Sequence, residues 1–373
     1  MRVVNSSVYR NYTSSMNNVH SSLIKSINKV QSGKEYESAA ENPLAYYKGK
    51  EIDNQFLATL SKSELIGDVK KRLEQQEIGA RDIQKTLADA KNNVINKALT
   101  GTTSPTAMDT LRSQLLQYEH NIVNDLQTQY QDFYIYGGND VSTPPFSLSA
   151  DGMTFTFTHT FPGESTATEF VMKLNDATGK FELDPSSTGT ADDLIQAMSE
   201  QGFMDVGYGD IRDRSTLLDT FTGGMNLLTG LTAEAVKTGN ITINDIMDKL
   251  TEGPLGLTAR GVHAMDKYLD DTNTAYTRKE LNEDLSTLLN KMTESEHETS
   301  SVYSDLGNKY NLLENLETKL KKMTDSLKEQ YKDTVGADPY TAIYEMYNNQ
   351  YSYNAALQVG SSLMGSSLFD FIR

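Results

Sequence analysis

For about a hundred residues before Tyr134, apolar positions recur every three or four residues; just beyond they alternate with polar ones, and later the longer spacing returns. The first spacing predicts helices and the second strands. Val8, Tyr12, Met16, Val19, Leu23, Ile27 and Val30 form one stripe on a helix that Gly33 is placed to end. Asn42-Pro43 supplies a cap and a first-turn proline for a longer helix. Its seam includes Leu73, Ala80, Leu87 and Val94, with Ile83 and Ala90 between them, and stops at Thr100-Gly101. Ser104-Pro105 repeats the start signal for a helix carrying Met108, Leu111, Leu115, Tyr118, Ile122 and Leu126.

The stretch YIYGGNDVSTPPF, residues 134–146, marks the change of period. After it, MTFTFTHTF puts Met153, Phe155, Phe157, His159 and Phe161 on one strand face, and EFVMKLNDATGKFEL reads as a hairpin turning at Asp176 to Gly179. A helical patch follows around Leu194 to Met198, and helices resume somewhere between about 215 and 260. From Leu281 the pattern runs through Leu285, Leu288, Met292, Tyr303, Leu306, Tyr310, Leu313, Leu316, Leu320, Met323 and Leu327 to a break at Gly336 and Pro339. A last helix places Ile343, Met346, Tyr347, Tyr353, Leu357, Met364, Leu368 and Phe371 along one side.

These periods predict a mainly α fold with an inserted α+β, β-rich domain, on a long coiled-coil-like helical rod built from both the N- and C-terminal parts. The expected divisions are 1–40 and 337–373 as paired end helices, 41–142 with 260–336 as the rod, and 143–259 as the inserted outer domain. Short, unthreaded connections would stack these along one axis, with the insertion farthest from the ends.

Charge sharpens the picture at the ends. The chain carries −17, with 51 acidic against 34 basic residues, which argues against nucleic-acid binding. Residues 1–34 hold Arg2, Arg10, Lys25, Lys29 and Lys34 without an acid, so this arm is +5 and the remainder −22. Residues 336–373 have a side-chain balance of −2. Each end stripe is too long to bury alone, and isolated helices of this kind are marginal in water. The expectation is that both arms are largely disordered in the free chain and fold when many copies pack together. An ordinary intramolecular core accounts for an apolar stripe equally well. Tyr344, Tyr347, Tyr351 and Tyr353 crowd the last helix, suiting either a subunit contact that dehydrates in stages or a helix pair.

The stretch QSGKEYESAAENPLAYYKGKEI, residues 31–52, resembles the N-terminal signature of bacterial flagellins, with Ser32-Gly33-Lys34, Ala39-Ala40 and Pro43 in matching places. SDLGNKYNLLENLETKL, residues 304–320, resembles their C-terminal segment at Leu306-Gly307 and near Lys309-Tyr310. Within that superfamily the chain looks most like the hook-filament junction branch. Tyr136, Gly137, Thr143, Pro145 and Phe146 match its exit motif, and Ser367, Leu368, Asp370, Phe371 and Ile372 its ending.

The resemblance covers roughly 1–146 and 277–373 and implies a flagellin-like fold and a structural role at the junction, with no catalysis and no cofactor. Its assembly interface would use the two end stripes. Implied partners are identical copies in a ring-like assembly, another hook-associated protein, flagellin, and a cytoplasmic export chaperone. Implied localisation is the extracellular flagellum, reached by type III export without a cleaved signal peptide. The filament subunit is the alternative within the superfamily; a soluble coiled-coil binding protein with closed ends is the alternative outside it.

Candidate chemistry adds little. There is no cysteine, and His20, His120, His159, His263 and His297 are scattered without an HExxH pair, which excludes thiolate chemistry and that zinc-protease motif. His159 shares a face with Phe157 and Phe161 and reads as a packed strand residue. Gly33-Lys34 and Gly179-Lys180 lack the upstream glycine of a phosphate loop. No window of 18 apolar residues occurs, so no membrane insertion is expected.

Overall fold

Local chemistry sets where the long helices begin and end in the computed structural model, which describes residues 2–101, 104–200, 203–205, 217–219, 223–270, 272 and 275–369. The first helix, α1 (Arg2–Ser32), stops at Gly33, whose φ of +67° only glycine adopts without strain. The second, α2 (Pro43–Ala90), opens under Asn42, whose Oδ1 accepts from the Ala45 amide at 3.1 Å. A π-helical turn at Lys91–Ile95 then leads to α3 (Asn96–Thr100). Ser104 caps α4 (Pro105–Leu126), accepting from the Ala107 amide at 3.3 Å.

Beyond α4 come a two-residue ladder, β1 (Gln129–Tyr130) with β2 (Phe133–Tyr134), and a four-stranded antiparallel meander of β3 (Phe146–Leu148), β4 (Thr154–His159), β5 (Thr168–Leu174) and β6 (Phe181–Leu183). Register places Phe157 between Phe146 and Phe170, and Phe155 between Leu148 and Met172. Phe155, Phe157 and His159 are buried on one face of β4, and Phe146 stacks on Phe155 and Phe157 at 5.4 and 5.3 Å between ring centroids. His159 is packed between Phe157 and Phe161. The β5–β6 turn runs through Asp176 and Gly179.

The rest is α5 (Ala191–Ser199), a ladder of β7 (Phe203–Asp205) with β8 (Leu217–Asp219), then α6 (Gly224–Thr229), α7 (Ala233–Thr238), α8 (Ile243–Glu252), α9 (Pro254–Leu269), α10 (Arg278–Val335) and α11 (Pro339–Phe369). Helices therefore resume at Gly224. The boundary at 259/260 read from the sequence falls inside α9, which begins at Pro254. No helix among the described residues is long and apolar enough to cross a membrane.

The chain forms two compact units: Leu65–Glu317, the central unit, and Met1–Glu64 with Thr318–Arg373, the end unit. In the central unit Leu87, Val94 and Ile95 meet Met108 and Leu115 of α4, Leu257, Val262 and Met265 of α9, and Leu281, Leu285, Leu288 and Met292 of α10. All are essentially excluded from water, a continuous core of the kind that dominates stability.

The sequence border is a structural knot in the same unit. Tyr136 is wholly buried, its hydroxyl donates to the Gln76 carbonyl of α2 at 2.6 Å, and the Gln76 side-chain amide donates to the Ile135 carbonyl at 2.6 Å. Gly79 makes room for the ring, since a Cβ there would lie 2.6 Å from the hydroxyl oxygen. The Tyr136 carbonyl accepts from the Gly224 amide at 2.8 Å, so the point where the chain leaves the helices touches the point where it returns. Asp140 steadies the exit: Oδ1 accepts from the Ser142 and Thr143 amides and Oδ2 from that of Thr160. Burial opposes its ionisation, but bonds from Thr143, Ser142 and Thr160 outweigh it and bring its pKa to about 2.

Glu119 of α4 is the opposite case. It is fully buried beside Leu116 and Gly152, and neither carboxyl oxygen has a hydrogen-bond partner among the described residues. Burial first, and the charge of Asp151 second, push its pKa well above 4.5. The folded state therefore holds a proton that the unfolded state releases. This contribution to stability is fully present below about pH 4.5 and is lost as pH rises through the folded value. Glu119→Met removes the unsatisfied group and is expected to raise stability at pH 8 by about 1–3 kcal/mol and to flatten that decline. Urea unfolding of both forms at pH 5 and pH 8 checks this; equal pH slopes would contradict it.

Candidate assembly surface

The two ends of the chain come together in the end unit, where α1 and α11 pack along one another in opposite directions. Backbone bonds fix the start of the pairing. The Ala337 amide donates to the Gly33 carbonyl at 2.9 Å and the Glu35 amide to the Val335 carbonyl at 2.6 Å. Asp338 caps α11, with Oδ2 accepting from the Thr341 amide, and Pro339 occupies the first turn.

Along the seam, Lys29 reaches Glu35 at 2.8 Å and Glu345 of α11 at 2.9 Å. Burial works against its charge, yet these two carboxylates hold its pKa above the ordinary lysine value. The basic arm noted in the sequence thus meets the one acid of the last helix. Farther along, Asn349 donates to the Ser22 carbonyl at 3.3 Å, the His20 and Tyr353 rings lie 5.5 Å apart, and the Tyr12 hydroxyl donates to the Ala356 carbonyl at 2.9 Å. Gly360 allows that approach: a Cβ there would sit 1.9 Å from the Tyr12 oxygen.

The α1 stripe faces this seam. Tyr12, Met16, Val19, Leu23, Ile27 and Val30 are half-buried along it, and Val8 is exposed. On α11 the face toward α1 differs from the one the sequence suggests. Ala342, Met346, Asn349, Tyr353, Ala356 and Gly360, spaced by fours and threes, are the covered positions. Ile343, Tyr347 and Leu357 are exposed, so the large apolar residues of α11 divide between two faces. The reason is steric. Helices that approach closely enough for Tyr12 to reach a backbone carbonyl need small residues between them, and apolar size alone is a poor guide to the contact face. Met364 and Leu368 lie on α11, but their side chains, like Phe371, Asp370 and Ile372 entirely, fall outside the described residues.

What α11 turns outward is a ladder of phenols. Tyr340, Tyr344, Tyr347 and Tyr351 are 80, 60, 62 and 77% exposed, at spacings of four, three and four residues, flanked by exposed Ile343. Exposed aromatics in a row are unusual on a surface that meets only water, and tyrosine is enriched where surfaces are later covered. The crowding of tyrosines was visible in the sequence; that Tyr353 faces α1 while Tyr344, Tyr347 and Tyr351 face away was not.

No family model matches the chain, and no curated protein matches it. Among solved structures it is similar to one described as a flagellar hook-associated protein from Vibrio parahaemolyticus, with a TM-score of 0.50 and 11% identity, over 79% of this chain and 100% of that one. The Bacillus cereus FlgL structure aligns with a TM-score of 0.42 and 17% identity over 76% of this chain and 99% of that one. The flagellar hook-associated protein-3 structure of Legionella pneumophila aligns with 0.44 and 12% over 76% and 98%. The long helices with an inserted antiparallel sheet are thus the fold of the Vibrio protein.

Proposed function

We propose that this chain is a structural subunit of the bacterial flagellum that forms the junction between hook and filament by packing its paired end helices among identical neighbours. The observation that carries this reading is the tyrosine ladder on a helix that joins the two ends of the chain. The fold shared with the Vibrio hook-associated protein supports it, as do the flagellin-like stretches at 31–52 and 304–320.

The end unit is built to be completed by something else. Its helix pair half-covers its apolar side chains, whereas the central unit holds a continuous core excluded from water. Thinly covered helices sit at the low end of local stability, so α1 and α11 take fixed form as copies close around them. The subunit acts mechanically rather than catalytically, is exported in the care of a chaperone, and meets another hook-associated protein on one side and flagellin on the other.

Gold labelling of a tag inserted in the exposed turn at Asp176–Gly179, viewed by electron microscopy on whole flagella, tests the placement. One band of label where hook meets filament is expected. Label along the whole filament would make the chain a filament subunit, and flagella free of label would overturn both.

A further inference from the structure

We infer that a cleft between α9 and the β5–β6 turn of the central unit binds a small oxyanion such as inorganic phosphate or sulfate, held by Arg260 and Lys267 beside His263. The cleft encloses about 200 Å³ and is lined by these three residues, by Thr178 and Gly179 of the turn, and by Asp284 of α10. Positions 260, 263 and 267 fall on one face of α9, so three nitrogen-bearing side chains point the same way across two turns of helix.

Arg260 is the feature that asks for a ligand. It is half-buried and has no hydrogen bond or ion pair among the described residues. Its guanidinium opens onto the cleft, and its planar fork suits two oxygens of one anion. His263 adds a second orphan: its side chain is 12% exposed, and Nε2 is shielded from water with no partner. Lys267 donates to the Asp176 carbonyl at 2.8 Å, which holds the ammonium at the cleft while leaving further protons to give.

The turn itself contributes shape rather than donors. The Ala177 and Thr178 amides are taken by the Asn175 side chain and the Gly179 amide by the Asn175 carbonyl. Two acids lie near. Asp284 offsets one of the two fixed positive charges and accepts from the Tyr276 hydroxyl. The Asp176 carboxylate, 3.9 Å from His263 Nδ1, is 91% exposed and turned to solvent. By formal charge Arg260 and Lys267 are matched by Asp284 and the outward-turned Asp176, on a chain whose net charge is −17.

The test is a titration of the full chain with sodium phosphate, ionic strength held constant with sodium chloride, followed through the imidazole resonances of His263. A saturable shift is expected, weakened at least tenfold in Arg260→Gln and in Lys267→Gln. Sulfate should displace phosphate. Two variants are used so that misfolding of one leaves the other to decide. No saturable shift in the native chain, or equal affinity in a folded variant, overturns the site.

Discussion

Replacing Tyr136 by alanine is expected to lower the melting temperature of the central unit by roughly 10 °C. The ring is fully buried, and truncating a large aromatic in a packed interior costs about 3–5 kcal/mol. For a unit of this size each kcal/mol shifts the midpoint by about 2–4 °C. The loss is not only of packing. The Tyr136 hydroxyl also ties the border to the Gln76 carbonyl of α2, a bond the truncation removes while the backbone bond from Gly224 is kept. Tyr136→Phe keeps the ring and should cost about 1 kcal/mol, the worth of one hydrogen bond. Differential scanning calorimetry of both variants checks the ordering; a Tyr136→Ala midpoint within 2 °C of the native one would contradict the role given to the knot.

This residue also shows what a sequence conceals. The border was visible as a change of period, because that signal is local. That Tyr136 would reach Gln76 and need Gly79 empty beneath it is a contact across 60 residues, and no pattern of spacing encodes it. Starts and stops at Asn42-Pro43, Ser104-Pro105 and Gly33 were legible for the same reason that caps are strong: one side chain or one φ angle decides them. The seam through Leu73, Ala80, Leu87 and Val94 was legible because large apolar residues at heptad spacing have one place to go, and all four are buried.

The last helix misled because it is apolar on more than one side. Ile343, Tyr347 and Leu357 read as a stripe with Tyr353, but only Tyr353 turns to α1, where Ala342, Ala356 and Gly360 set the distance. The small residues Ala342, Ala356 and Gly360 were the available signal. It is easily missed beside so many tyrosines. Glu119 was silent altogether, since a glutamate on a helix ordinarily reads as a solvated face.

Changing Tyr340, Tyr344, Tyr347 and Tyr351 together to glutamine is expected to leave the fold intact and to abolish incorporation into the flagellum. The four side chains are mostly in water, and glutamine keeps helix propensity, so circular dichroism and the calorimetric midpoint should be unchanged. Covering about 100 Å² more of each ring is worth roughly 2.5 kcal/mol gross. Most of that is offset by ordering the helices and side chains. A surviving loss of about 3 kcal/mol, roughly a hundredfold in affinity, is enough to release a subunit that must stay in place. Charge at the seam is untouched, because Lys29, Glu35 and Glu345 lie on the other side of the pairing, where α1 meets α11.

The decisive observation is how the quadruple variant divides between sheared flagella and culture medium, in cells that make no native copy. Recovery of the native chain in the flagella, with more than nine-tenths of the folded variant free in the medium, is the predicted result. A variant that fractionates with the flagella as the native chain does would show that the tyrosine face of α11 is not what joins this subunit to its neighbours.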